Sequence, residues 1–110
     1  MNAIRVHLYA ICVLLMVACA TVPQTPQEAL NEANITLTAT ARVVEQNVND
    51  KIFTKAEGQK YLDKVRDLAG KVDDAQKLVT AGLPNAKQQA EIVRALILAL
   101  HREVASRARQ

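Results

Sequence analysis

Cysteine and histidine, the side chains that most often act as nucleophiles or bind transition metals, are scarce in this 110-residue chain. The four such residues are Cys12, Cys19, His7 and His101. Metal ligation by a Cys/His cluster is therefore unsupported. A Cys-His nucleophilic pair would have to join Cys19, near the start of the chain, to His101, near its end. We instead expect His101 on the flank of the last helix, near Arg94.

Acidic residues and glycines give no stronger sign of catalysis. Asp73 and Asp74 are adjacent, and neighbours on a helix diverge by about 100°, so the two carboxylates do not converge on one site. The glycines Gly58, Gly70 and Gly82 form no phosphate-binding loop. Gly70 lies inside a predicted helix, where it indicates close helix packing or a weak point. We predict that the protein is not an enzyme and uses no cofactor or metal.

The first twenty residues have the three parts of a secretory signal. Arg5 is the one full positive charge, Leu8 to Val17 is uncharged, and Ala18-Cys19-Ala20 is a run of small residues. The apolar part is about ten residues long, whereas a helix needs about twenty to cross a bilayer. We therefore expect a cleaved signal peptide at residues 1–18 rather than a permanent span.

The segment Leu15-Met16-Val17-Ala18-Cys19 resembles the lipobox of bacterial lipoproteins, in which an apolar residue, a small or branched residue and Ala or Gly precede a lipid-bearing cysteine. It departs from the family pattern at Met16, where Leu is usual. The resemblance implies a diacylglyceryl thioether on Cys19 and an N-acyl chain. At about 0.8 kcal/mol per buried CH₂, two or three chains give a stable anchor. It covers this segment only, and the helical remainder resembles no family known to us.

A second cleavage site overlaps this one. Ala18-Cys19-Ala20 also fits the small-x-small rule of ordinary signal removal, which would release a soluble chain that begins at Thr21. Lipidation is the better explanation because an unpaired thiol is uncommon in exported proteins, and Cys12 would be discarded with the signal. Since Ala20 rather than Asp follows Cys19, the family's sorting rule implies the outer membrane of a diderm bacterium, facing the periplasm.

After the lipidated cysteine and its tether, at residues 19–25, residues 26–110 are expected to form one helical domain. Capping boxes begin two helices, one at Thr25 with Glu28 and one at Thr54 with Glu57. Asn85 is a candidate cap for a third. Apolar residues recurring at three- to four-residue steps predict helices at about 26–50, 55–80 and 85–106.

Gly82-Leu83-Pro84 predicts a helix stop, with Gly82 in the left-handed conformation. Matching helix lengths and short loops predict an all-α fold, an up-down-up antiparallel three-helix bundle with coiled-coil-like packing. With the anchor before the first helix, the Gly82 turn would return toward the membrane and the C-terminal tail would point away from it.

The apolar stripes define the expected core. In the first helix the stripe is Leu30, Leu37, Ala41, Val44, Val48 and Ile52. Ile35 and Val43 lie off this stripe and could contact a third helix, and Thr36, Thr38 and Thr40 are expected near the outer face. In the second helix the stripe is Tyr61, Leu62, Val65, Leu68, Ala69, Val72, Ala75 and Val79. In the third it is Ala86, Ala90, Val93, Ile97, Leu100 and Val104.

Two surface features could bind partners. Four apolar residues lie beside the stripe of the third helix: Ile92, Leu96 and Ala99 widen it, and Leu98 falls near Arg94, Arg102 and Ala105 on the opposite side. They either pack against both other helices or form an interaction surface for self-association, a partner protein or a membrane. The second feature is a basic patch of Arg102, Arg107 and Arg109. It either complements the helix dipole or contacts a distal anion, such as cell-wall polymer or an acidic envelope protein.

The charge balance argues against nucleic-acid binding, since a net charge of +3 comes without a concentrated basic stripe. The sequence favours a small envelope lipoprotein that acts as a structural or protein-interaction module. One alternative is a soluble periplasmic binding module or inhibitor cleaved after Ala20. Another is a phage- or plasmid-borne lysis or exclusion lipoprotein.

Overall fold

The computed structural model describes residues 25–110, which form three α-helices and no strand within that range. The helices are α1 (Pro26–Asn49), α2 (Lys55–Thr80) and α3 (Ala86–Ala108). Each helix packs against the other two. The all-helical bundle expected from the sequence is therefore confirmed, and it positions every side chain considered below.

Threonine hydroxyls begin α1 and α2. The Oγ1 of Thr25 accepts a hydrogen bond from the backbone N–H of Glu28 at 3.2 Å. The Oγ1 of Thr54 accepts one from Glu57 at 3.1 Å. Asn85 precedes α3, but its side chain makes no capping bond and its ψ is 1°. Because a capping residue normally has extended backbone, the prediction that Asn85 caps α3 is wrong.

The stop after α2 uses a left-handed glycine, as predicted. Gly82 has a φ of 67°. Its N–H donates to the carbonyl of Val79 at 3.0 Å, and the N–H of Leu83 donates to the carbonyl of Leu78 at 3.1 Å. These two bonds form a Schellman motif, which satisfies carbonyl groups that the end of the helix leaves unpaired.

The stop after α1 has the same hydrogen bonds without a glycine. Lys51 has a φ of 63°. Its N–H donates to Val48 at 3.1 Å, and the N–H of Ile52 donates to the carbonyl of Asn47 at 2.9 Å. A left-handed residue with a β-carbon costs about 1–2 kcal/mol. This connection is therefore held by its hydrogen bonds against a local strain.

The buried seam of α1 differs from the predicted stripe. It follows a regular three-four spacing: Leu30, Ala33, Leu37, Thr40, Val44 and Asn47. The predicted member Ile52 is 45% exposed, and Ile35, expected to contact a third helix, is 72% exposed. The seam includes two polar positions, which a search for apolar periodicity passes over.

Those two polar residues are buried because their side chains are hydrogen-bonded within α1. The hydroxyl of Thr40 donates to the carbonyl of Thr36 at 2.8 Å. The Nδ2 of Asn47 donates to the carbonyl of Val43 at 2.8 Å. The expectation that Thr40 lies near the outer face is therefore wrong. A buried polar group is tolerated when it has such a partner.

The predicted stripe of α3 is buried in full: Ala86, Ala90, Val93, Ile97, Leu100 and Val104. In α2 the buried members are Tyr61, Leu68, Val72 and Ala75. The other four predicted members pack at the edge of the core: Leu62, Val65, Ala69 and Val79. These small and branched side chains allow closely spaced helices, and α2 approaches α1 closely at one glycine. A β-carbon at Gly58 would collide with Cγ2 of Val48, whereas Gly70 has no atom nearby.

Candidate functional site

An open, largely apolar groove runs between α2 and α3. Its larger part has a volume of about 480 Å³, with Leu68, Leu96, Ala99 and Leu100 among its lining residues. A second part of about 270 Å³ includes Leu96 as well. Leu96 lines both parts, so they are neighbours along the two helices.

The groove exists because the strip of α3 beside its buried stripe is not covered by α2. Ile92 and Leu96 lie on this strip, and each is 44% exposed. The facing positions of α2 include Asp67 and Lys71, whose charged ends remain in solvent. Although α3 does contact both other helices, the apolar strip thus stays half open to solvent.

The predicted interaction surface on α3 is divided by this arrangement. Ile92 and Leu96 line the groove, as does Ala99. Leu98 is half-buried on another face of α3. It falls at the same three-four spacing as Arg94 and His101, which both bond to α1. Leu98 is therefore not part of the groove.

Charged side chains border the groove, and negative ones predominate. Four carboxylates and two ammonium groups are among the lining residues: Asp63, Asp67, Asp74, Glu103, Lys64 and Lys71. Lys64 lies 3.4 Å from Glu103. Within residues 25–110, Asp67 and Asp74 form no ion pair. Because Lys64 is already engaged, the rim keeps an excess of negative charge.

Arg107 does not belong to an open basic patch. Its Nε donates to Glu57 Oε2 at 2.8 Å, and a second guanidinium nitrogen donates to Oε1 at 3.1 Å. The guanidinium also lies 5.7 Å from the ring centre of Phe53, which packs against Tyr61 at a centroid distance of 5.4 Å. A two-pronged ion pair of this kind fixes the orientation of the side chain. Arg107 therefore joins the end of α3 to the start of α2.

The remaining arginines of the predicted anion contact lie elsewhere on α3. Arg102 and Arg109 are exposed, and their seven-residue separation puts them on one face. Arg109 Nε donates to the carbonyl of Ala105 at 3.2 Å, within its own helix. Such a bond satisfies one of the carbonyl groups left unpaired at a helix end. A distal anion would thus meet Arg102 and Arg109 without Arg107.

His101 links α3 to α1. Its Nδ1 lies 2.9 Å from the hydroxyl of Thr40. That hydroxyl has one hydrogen, which it donates to the carbonyl of Thr36. The contact with Thr40 therefore fits the tautomer of His101 that carries its hydrogen on Nδ1. Together with the 3.2 Å bond from Arg94 to Glu32, this contact fastens the flank of α3 to α1.

No group of three or more side chains suited to a metal ion occurs within residues 25–110. In the same range, none of the helices combines the length and apolar character needed to cross a membrane. The predicted lipidation site, Cys19, lies outside the described residues.

Reasoning from the sequence did not identify the acidic side of the groove. The pattern that could have indicated it is the four-residue spacing of Asp63 and Asp67 beside the predicted core stripe of α2.

Comparison of the chain with known protein families, with curated proteins and with solved structures finds no match.

Proposed function

We propose that the protein is a small bacterial envelope lipoprotein, anchored by acylated Cys19, that acts as a structural or protein-interaction module. The observation that carries this proposal is the segment Leu15-Met16-Val17-Ala18-Cys19, which resembles a lipobox. Ala20 after the cysteine supports the outer membrane, facing the periplasm, as the location.

The position of the helical domain is compatible with a short-range anchor. α1 begins at Pro26, seven positions after Cys19. An extended segment covers about 3.1 Å per residue, so the domain would sit within roughly 22 Å of the lipid. An apolar groove with a charged rim is the type of surface that partner proteins bind, which supports the role of interaction module.

We infer that the three helices run up-down-up. Gln27, near the start of α1, is hydrogen-bonded to Gln76, near the end of α2, at 2.9 and 2.7 Å. Gly58, near the start of α2, faces Val48, near the end of α1. The bond between Arg107 and Glu57 likewise relates the end of α3 to the start of α2.

This topology would give the anchored protein an orientation. The Gly82 turn would lie at the same end of the bundle as the anchor, toward the membrane. Arg102 and Arg109, near the end of α3, would point into the periplasm. That is the direction from which a cell-wall polymer or another envelope protein would approach.

The proposal is tested by labelling with palmitate and by the intact mass of the protein from the membrane fraction of a diderm host. Wild type should carry label and begin at an acylated Cys19. Cys19→Ser should lose the label, and the matched control Cys12→Ser should retain it, because Cys12 lies in the discarded segment. An unlabelled protein with an unblocked Thr21 in the aqueous fraction would favour the soluble periplasmic module that Ala18-Cys19-Ala20 allows.

A further inference from the structure

We propose that the groove between α2 and α3 binds a basic amphipathic helix of a partner protein. This inference rests on the proposed role as an interaction module and names the chemistry of the partner. It does not depend on the lipid at Cys19, because the groove is built entirely from residues of α2 and α3.

The shape of the groove suits a helix of about four turns. Its lining residues on α2 extend from Asp63 to Leu78, which at about 1.5 Å per residue is roughly 22 Å. Ile92, Leu96 and Ala99 are spaced at i, i+4 and i+7, so they form one apolar ridge along the groove. A partner helix whose own apolar residues recur at three- to four-residue steps would pack against this ridge.

The charge of the rim selects a basic partner. Asp67 and Asp74 border the groove without an ion pair within the described residues. The chain as a whole has a net charge of +3, so this excess of carboxylates is local. Lysine or arginine residues flanking the apolar face of a partner would meet the carboxylates at the rim, where they favour association and set its orientation.

The same charges disfavour the two other occupants of an apolar surface. In a symmetric dimer formed through the groove, each acidic rim would face its own copy, and like charges repel. An anionic phospholipid surface would likewise be repelled by the rim. A basic helix is the occupant that satisfies both the apolar ridge and the carboxylates.

Binding is tested with the chain as cells process it, held in phosphatidylcholine nanodiscs if acylated and in buffer if not. The probe is a fluorescein-labelled, amidated peptide of about 18 residues, with leucines on one helical face and lysines on its flanks. The control peptide has the same composition in an order that abolishes the apolar face. Fluorescence anisotropy should show saturable binding of the amphipathic peptide, at least about tenfold tighter than the control and weakened by salt.

Three surface variants locate the site. Leu96→Glu and Asp67→Lys should each weaken peptide binding by about tenfold or more, because they alter the ridge and the rim. The matched control Ile35→Glu, at a more exposed apolar position on α1, should bind as wild type. Circular dichroism should show that all three variants keep their helical content.

Several results would overturn the proposal: no saturable binding, equal binding of the control peptide, or an equal loss in Ile35→Glu. Self-association that Leu96→Glu abolishes would assign the groove to a second copy instead. Tighter binding of the domain to anionic vesicles than to the peptide would assign it to a membrane. If the protein binds the peptide but carries no palmitate, the proposed lipid anchor is wrong and the proposed binding groove stands. If it carries palmitate but does not bind the peptide, the proposed binding groove is wrong and the lipid anchor stands.

Discussion

Gly58 and Gly70 are both in α2, but only Gly58 is packed against another helix. At Gly58 the helix approaches α1 so closely that a β-carbon would collide with Cγ2 of Val48. The β-branched side chain of valine has little freedom to rotate away. Gly70 is exposed and has nothing within 4 Å of such a β-carbon. Close packing therefore explains Gly58, and Gly70 is the weak point.

The same substitution at these two glycines should change stability in opposite directions. Gly58→Ala should lower the free energy of unfolding by about 1–3 kcal/mol, because the collision must be relieved by moving α1 or α2. Gly70→Ala should raise it by about 0.5–1 kcal/mol, because alanine loses less conformational entropy in a helix. Urea denaturation followed by circular dichroism measures both values. A gain in stability at Gly58 would contradict the close approach of the two helices.

At the scale of the element, the helices begin by different means. Thr54 has a φ of −69° and a ψ of 160°, which directs its hydroxyl toward the N–H of Glu57. The carboxylate of Glu57 bonds to Arg107 of α3, so a residue of the first turn also joins two helices. Asn85 has the right residue type for a cap but not the backbone conformation.

Substitutions at Thr54 and Asn85 test whether a cap stabilises the helix through its hydrogen bond or merely through its residue type. Thr54→Ala should lower the free energy of unfolding by about 1 kcal/mol, because it removes a capping bond. Thr54→Ser should keep most of the wild-type stability, because serine retains the hydroxyl that accepts the capping bond. Asn85→Ala should change stability by no more than about 0.5 kcal/mol, as for a surface residue without a specific contact. Thermal unfolding of the three variants provides the comparison, and equal losses at both positions would show that Asn85 also caps.

At the scale of the whole molecule, contacts at both ends of α1 and α2 support the antiparallel arrangement that we propose for them. One pair is Gln27 with Gln76, and the other is Val48 with Gly58. The three buried seams also have compatible three-four spacing, which is the pattern of helices that pack side by side along their length.

Cross-linking tests this arrangement directly. In a chain whose native cysteines are replaced by serine, Gln27→Cys with Gln76→Cys should be joined by a short bismaleimide. The pair Gln27→Cys with Lys60→Cys should not, because Lys60 lies sixteen residues, or about 24 Å, closer to the start of α2 and on a different face of that helix. Mass spectrometry of the monomer distinguishes the products. Efficient joining of the second pair and not the first would mean that α1 and α2 run parallel.

Much of the fold could be predicted from the sequence because its determinants are local. The caps at Thr25 and Thr54 and the left-handed Gly82 involve hydrogen bonds within five residues. The stripe of α3 is apolar throughout, so its periodicity identifies the buried face. The stripe of α1 was predicted less well, because Thr40 and Asn47 occupy buried positions and are satisfied by carbonyl groups of their own helix.

By itself, the sequence determined where the helices of this protein begin and end to within about two residues, and it supplied the lipobox-like segment on which its proposed anchoring depends. Only the tertiary structure decided that Leu96 borders a groove and that Arg107 is held by Glu57. The reason is physical: capping and periodicity act between residues a few positions apart. The groove and the ion pair depend instead on the distance and rotation of α2 relative to α3, which all the side chains between them set together.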